Sequence, residues 1–164
     1  MYVRQLSTMV SVTATQTRPN NTTAYAAGDV VGTDPATNLT FSNVLPDNGV
    51  GFVILGARLR IDVAAIPAGM AGFRLHLYNA APTAIADNTA FDLIVGDRGK
   101  YLGYVTISTG RDNGATVWYQ DNDLNFTGKL AAGSATLYGV LETIGAYTPT
   151  ASVVKTSTLN VAPV

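Results

Sequence analysis

The chain has 164 residues, of which 47% are hydrophobic and 13% charged, and its 10 Lys plus Arg against 11 Asp plus Glu give a net charge of -1. A chain of this length folds most often as one domain with a substantial core. The near-neutral charge gives no sign of the clustered basic surface that nucleic-acid binders need. We therefore expect no nucleic-acid partner, and the high apolar content argues against disorder.

Cysteine is absent, which excludes disulfides, thiolate nucleophiles and thiolate zinc sites. Residues 1–10 lack the apolar block of a secretory signal, and no apolar run is long enough to span a bilayer. We expect a protein that is made in the cytoplasm and has no membrane partner. Glu142 is the only glutamate, and this scarcity of a helix-favouring residue indicates few helices.

Alternation of apolar and polar residues predicts about eight to ten short strands. In chain order, the candidate segments are 10–14, 29–31, 39–44, 50–54, 55–63, 73–78, 101–107, 115–119, 135–144 and 153–161. Clusters of Gly, Pro, Asn and Asp separate many of them, as tight connections require. In the clearest segment, 55–63, Leu55 and Leu59 are predicted to face the core, and Arg58 and Arg60 the outside.

Short strands separated by turn signals are typical of a β-sandwich or barrel. At most one short helix is expected, at 87–93, where Asp87 would cap a turn that carries Phe91 inward. Repeats and composition shifts are absent, so we expect one domain, 1–164. Residues 1–21 are either an arm that adds a strand to a neighbour's sheet or the first strand of this domain.

Residues that could carry catalysis are sparse. His76, the only histidine, falls on the outward side of the segment 73–78, and no Gly-x-Ser-x-Gly motif accompanies it. Most aspartates lie in turn clusters, where local backbone hydrogen bonding explains them better than paired-carboxylate catalysis does. We therefore expect a protein that is not an enzyme and that holds no cofactor.

One segment has the spacing with which a calcium loop begins, because Asp121, Asp123 and Asn125 alternate. Phe126 stands where that loop needs a glycine, and Ala132 where it needs a bidentate glutamate. The pattern therefore favours a polar turn, and no metal site is expected.

Four basic residues form a candidate interaction surface. If the segments 55–63 and 73–78 are neighbours in one sheet, their outward basic side chains form a compact patch, which consists of Arg58, Arg60, Arg74 and His76. Like charges that face each other across strands are destabilising unless other groups cover them. The patch is either a solvated face or a surface whose counter-charge comes from a neighbouring subunit.

Several motifs occur together in one order: YAAGDVVG at 25–32, LTF at 39–41, PTAIADNTAFDL at 82–93, YLG at 101–103, LYG at 137–139 and GAYTP at 145–149. Over residues 24–152 the chain resembles the head decoration (cement) proteins of tailed bacteriophages. The resemblance implies a jelly-roll-like β-sandwich on the outer surface of the virion capsid. It also implies the major capsid protein as partner and stabilisation of the phage head as the role.

We therefore expect a non-enzymatic virion structural protein that is made in the host cytoplasm and forms a homo-oligomer. A trimer would suit the three-fold positions of a capsid, and Tyr2 and Arg4 are further candidate interface residues. The alternative is a carbohydrate- or receptor-binding module of a phage head or tail fibre, because exposed aromatics on a sandwich serve both roles. Trp118 and Tyr119 would then form the sugar platform.

Overall fold

The computed structural model describes residues 8–45 and 49–164. The candidate interface residues Tyr2 and Arg4 lie outside these ranges. Within them the chain forms ten strands and one short 3-10 turn at Val95–Asp97. The strands are β1 Val10–Thr17, β2 Leu39–Phe41, β3 Gly51–Ile61, β4 Phe73–Tyr78, β5 Tyr101–Ile107, β6 Thr109–Asp112, β7 Val117–Asp121, β8 Phe126–Lys129, β9 Leu137–Thr143 and β10 Val154–Pro163.

The strands form two antiparallel sheets that pack face to face. The six-stranded sheet has the order β1-β10-β3-β7-β6, and β8 pairs with the first residues of β3. The four-stranded sheet has the order β2-β9-β4-β5. The chain crosses between the sheets from β1 to β2, from β2 to β3 and from β3 to β4, as in a jelly roll. The predicted all-β, jelly-roll-like sandwich is confirmed.

The core lies between the two sheets and is built from alternate residues of each strand. On β4, Phe73, Leu75 and Leu77 are fully buried. Phe73 meets Tyr119 of β7 edge to face, with ring centroids 5.3 Å apart, so the aromatic contact joins the two sheets. Burying one such side chain contributes about 1.5–3 kcal/mol, which makes this interior the main source of stability.

One strand, β3, replaces the two predicted segments 50–54 and 55–63. The register between β10 and β3 shifts because Asn160 faces Gly56 while the next residue, Val161, faces Ile54. Leu55 is the extra residue of this bulge and is 39% exposed. The prediction that Leu55 faces the core is therefore wrong, since a bulge reverses the phase of the alternation that precedes it.

The predicted helix at 87–93 is also wrong. Asp87 and Asn88 form a turn instead, and Asn88 has a positive φ of 59°. Asp87 does not cap a helix, because its Oδ1 accepts hydrogen bonds from Gly32 N–H and Tyr25 O–H, which belong to a distant part of the chain. Tertiary partners have replaced the local bonds that a short helix would need.

Residues 10–17 lie in the chain's own sheet. β1 pairs with β10 over its whole length, from Val10 opposite Val161 to Thr17 opposite Val154. Among the strands that the structure describes, β10 is the one neighbour of β1, which makes β1 an edge strand. The predicted strand at 29–31 is reduced to isolated bridges, whereas β6 and β8 were not predicted.

Candidate functional site

The predicted basic patch does not form. Arg58 and Arg60 lie on β3 in the six-stranded sheet, while Arg74 and His76 lie on β4 in the four-stranded sheet. The connection between β3 and β4 crosses the sandwich rather than turning back as a hairpin. The two pairs are therefore on opposite outer faces, and each face has to be considered by itself.

On the outer face of the four-stranded sheet, the only histidine and the only glutamate of the chain meet. His76 Nε2 lies 2.6 Å from Glu142 Oε2, and His76 Nδ1 lies 3.0 Å from the Tyr101 hydroxyl. Arg74 donates to Glu142 Oε1 at 2.7 Å from the directly opposite position on the neighbouring strand. The register of β4 and β9 is sufficient to bring Arg74 and Glu142 together. Arg74, His76, Phe91, Tyr101 and Glu142 are called the His76 cluster.

Two of the sequence motifs cover this cluster. In the segment 25–32, the Gly28 N–H donates to the Thr143 carbonyl of β9. In the segment 82–93, the Phe91 N–H donates to the Gly28 carbonyl, which joins the two segments. Together these segments are called the cover. The Phe91 ring stacks on His76 with centroids 3.7 Å apart and a 13° interplanar angle. His76 is therefore 4% exposed, and its predicted place on an open surface is wrong.

Hydrogen bonds and burial act together on the protonation state of His76. A carboxylate can only accept, so Nε2 carries the proton donated to Glu142, whereas the Tyr101 hydroxyl can donate to Nδ1 or accept from it. Burial lowers the pKa of His76 from its ordinary value, an effect that the bond to Glu142 opposes. A neutral ring held on three sides has a structural role here, because both of its nitrogens are already bonded.

A second buried network, which the sequence pattern does not predict, anchors the cover to the residue that directly follows β1. The Arg18 guanidinium is buried, donates to the Tyr25 hydroxyl at 2.8 Å and lies 3.7 Å from Asp87 Oδ2. The Tyr25 hydroxyl donates in turn to Asp87 Oδ1 at 2.5 Å. Burial and the bond to Asp87 raise the pKa of Tyr25, so this hydroxyl stays protonated. The arginine, tyrosine and aspartate satisfy one another out of solvent.

Lys155 lies near this network without a hydrogen-bond partner among the described residues. It is 1% exposed, and burial lowers the pKa of its amine to about 7, with a further contribution from Arg18. Its side chain and that of Tyr147, whose hydroxyl is also unpaired, line a cavity of about 10 Å³. That space is enough for about one water molecule, so it is no substrate pocket.

The outer face of the six-stranded sheet presents short polar side chains around two arginines and is called the threonine face. One row across the strands has Thr15 opposite Thr156, Thr156 opposite Arg60, and Arg60 opposite Trp118. Arg58 lies opposite Thr158 in the adjoining row. Among the described residues Arg60 pairs with an exposed aspartate, whereas Arg58 has no ionic partner.

Trp118 lies on this threonine face in an open groove of about 290 Å³. Arg111, Asn113 and Gln120 form the rest of its lining. Tyr119, the predicted second half of a sugar platform, points into the core instead and donates to the Met70 carbonyl at 2.8 Å. Successive residues of a strand face opposite sides, so the two aromatic rings cannot share one surface.

The segment at 121–123 is a polar turn, since Asp121 Oδ1 accepts from the Asp123 N–H at 3.0 Å. Across residues 8–45 and 49–164, no three His, Cys, Asp or Glu side chains come close enough together to hold a metal ion. In the same residues, no helix has the length and apolar character needed to cross a membrane.

Neither a protein-family model nor a curated protein matches the chain. Among solved structures it is similar to the capsid of Helicobacter pylori bacteriophage KHP30, at 12% identity and TM-score 0.28, covering 97% of this chain and 94% of that one. A chain of the Israeli acute paralysis virus particle matches at 14% identity and TM-score 0.28, covering 97% and 74%. Infectious bursal disease virus VP2 matches at 13% identity and TM-score 0.25, covering 98% and 41%. Similarities this low do not define a function for this chain.

Proposed function

We propose that this protein is a non-enzymatic structural component of a virion, a decoration (cement) protein that binds the major capsid protein on the outer capsid and stabilises the phage head. The observation that carries the proposal is the threonine face, where Arg58 has no ionic partner among the described residues. Protein interfaces are enriched in arginine and depleted in lysine and glutamate. Threonine side chains also lose little conformational freedom when they are covered.

The buried networks support the same role, because they make the sandwich and its cover one rigid body. Glu142 joins Arg74 to His76, and Asp87 joins the cover to Arg18. A rigid partner loses little conformational entropy when it binds. Many modest contacts repeated over a symmetric shell then favour the assembled state by mass action. A trimer would suit the three-fold positions of such a shell.

The test uses shells of the virus that encodes this chain, assembled without it, to which purified protein is added. We expect saturable binding with a fixed number of copies per shell and a higher temperature of shell disruption. The variant Arg58→Ser should bind at least tenfold more weakly, while Arg98→Ser, which removes the same charge from an exposed turn, should bind like the wild type.

Circular dichroism of both variants checks that they fold. Failure of the wild-type protein to bind shells would exclude decoration. Equal binding by Arg58→Ser and Arg98→Ser would remove the threonine face from the contact.

The groove at Trp118 favours saccharide binding as a second candidate function. An indole ring stacks on the apolar face of a sugar, and the Arg111, Asn113 and Gln120 side chains in the same groove can bond its hydroxyls. A glycan array probed with the isolated protein tests it. Binding that Trp118→Ala abolishes, and that Tyr104→Ala on the opposite face leaves unchanged, supports this function, whereas no binding excludes it.

A further inference from the structure

Among the described residues the two sheets have five edge strands, and four of them hinder the addition of another strand. β2 and β8 are three and four residues long. β6 carries Arg111 and Asp112. β5 is irregular at Gly103, which has a φ of 123° and adjoins a register shift. Short length, charge and bulges are the features by which proteins keep sheet edges from pairing with other chains.

The fifth edge, β1, has none of these features. Its sequence, VSVTATQT, contains no charged residue, proline or glycine over eight residues. Its register with β10 is unbroken, so the edge is regular. Ser11, Thr13, Thr15 and Thr17 are exposed. Within the described chain, every backbone hydrogen bond of 10–17 belongs to the ladder with β10, so the N–H and C=O groups on the other side of β1 have no backbone partner there.

We propose that β1 is a docking edge for a second copy of this chain, whose own β1 adds antiparallel across a two-fold axis. The two six-stranded sheets then become one continuous sheet. This inference goes beyond the proposed function, because it concerns a contact between two copies rather than the contact with a capsid. A two-fold contact is also distinct from a trimer, and it would join one trimer to the next.

β1 is self-complementary, which favours a second copy of this chain as its partner. Antiparallel pairing centred on Thr13 places Thr13 opposite its counterpart and Ser11 opposite Thr15. On the inner face Val12 then lies opposite Ala14, which is an apolar pair, and Val10 lies opposite Gln16. Cross-strand threonine and serine pairs are favourable, and an uncharged strand brings no like charges together. A two-fold interface requires this kind of self-matching surface.

The contact area of one strand pair is small compared with the roughly 1,200–2,000 Å² of stable interfaces. We therefore expect weak association in dilute solution and a firmer contact where copies are held close together. Sedimentation velocity over a concentration series measures it. The double variant Thr13→Lys/Thr15→Lys should associate at least tenfold more weakly than the wild type, because lysines on an edge repel their counterparts.

The matched control places two lysines on β10, the strand next to β1, instead of on β1 itself. Thr158 and Thr156 lie directly opposite Thr13 and Thr15 on β10, so Thr156→Lys/Thr158→Lys should associate like the wild type. Far-UV circular dichroism checks the fold of both variants. A wild-type chain that stays monomeric at all concentrations, or two double variants that associate equally, would overturn the proposal.

A cross-link gives a second measurement that does not depend on the lysine variants. The chain contains no cysteine, so Thr13→Cys introduces the only thiol. Mild oxidation should convert this variant to a disulfide-linked dimer, because the Cβ atoms of directly opposite residues on paired strands lie about 4.5–5.5 Å apart. Thr158→Cys should remain a monomer. Equal cross-linking of the two variants, or none in either, contradicts a contact at β1.

Discussion

Glu142 and His76 form a 2.6 Å hydrogen bond beneath the ring of Phe91, and each is the only residue of its type in the chain. A reactive pair in an open site would leave one nitrogen or oxygen free for a substrate. Here the second nitrogen of His76 is bonded to Tyr101 and the second oxygen of Glu142 to Arg74. The pair therefore holds β4 to β9 and gives the cover a flat surface on which to pack.

Replacing Glu142 should lower the free energy of unfolding more than replacing Arg74, its more exposed partner. Glu142→Ala leaves the buried His76 N–H without an acceptor, and we expect a loss of about 3 kcal/mol in the free energy of unfolding. Arg74→Ala should cost about 1 kcal/mol or less, because the Arg74 side chain is 38% exposed and water can solvate Glu142 in its place. Urea unfolding measures both, and equal losses would contradict the structural role of the pair.

Phe91 should control the protonation of His76. Burial is the main cause of the lowered pKa, so Phe91→Ala should raise the pKa of His76 toward its ordinary value of about 6.5. The single histidine gives one imidazole signal, so an NMR titration reports it directly. Val95→Ala, at an exposed position just beyond the cover, should leave the pKa unchanged. An unshifted pKa in Phe91→Ala would show that stacking does not cause the desolvation.

Lys155 should make the protein more stable as the pH rises from 7 to 9. Its folded-state pKa of about 7 is below its ordinary value of 10.5, so the unfolded chain binds more protons between these values. Stability then increases with pH across this window, by about 2 kcal/mol from pH 7 to 9. His76 titrates below this window, and the buried tyrosines have raised pKa values and contribute above it.

The variant Lys155→Met separates this effect from other pH dependence. Methionine has a similar length without the charge, so the variant should be more stable than the wild type at pH 6, and its stability should change less from pH 7 to 9. Urea unfolding at pH 6, 7 and 9 provides the comparison. A wild-type chain whose stability is flat or falls over this interval would contradict a neutral, buried Lys155.

Gly145, the first residue of the GAYTP motif, should not tolerate a side chain. A Cβ at this position would overlap the carbonyl oxygen of Gly69, which is backbone and cannot rotate away. We expect Gly145→Ala to lower the free energy of unfolding by about 1–3 kcal/mol. Gly96→Ala is the control, because nothing lies within 4 Å of its added Cβ. Thermal unfolding compares them, and equal melting temperatures would disprove the close approach.

The sequence predicts which side of a strand is buried, but it does not predict which sheet the strand joins. This is why the fold class and most strands were predicted correctly while the patch of Arg58 and Arg74 was not. Leu55 was misplaced for a related reason, because the bulge depends on the register with Asn160, about a hundred residues away. His76 does lie on an outer face as alternation indicates, but the cover that buries it comes from other segments.

β10 is the tenth strand in chain order, and it lies between β1 and β3. Nine strands can be made before it, yet the six-stranded sheet has a gap until Val154–Pro163 enters. During synthesis, the edges of β1 and β3 that pair with β10 therefore stay unpaired until β10 is made, and unpaired strand edges are prone to pair with other chains. Folding should complete only after β10 has left the ribosome, and a nascent chain stalled before Val154 should be open to protease and to chaperones.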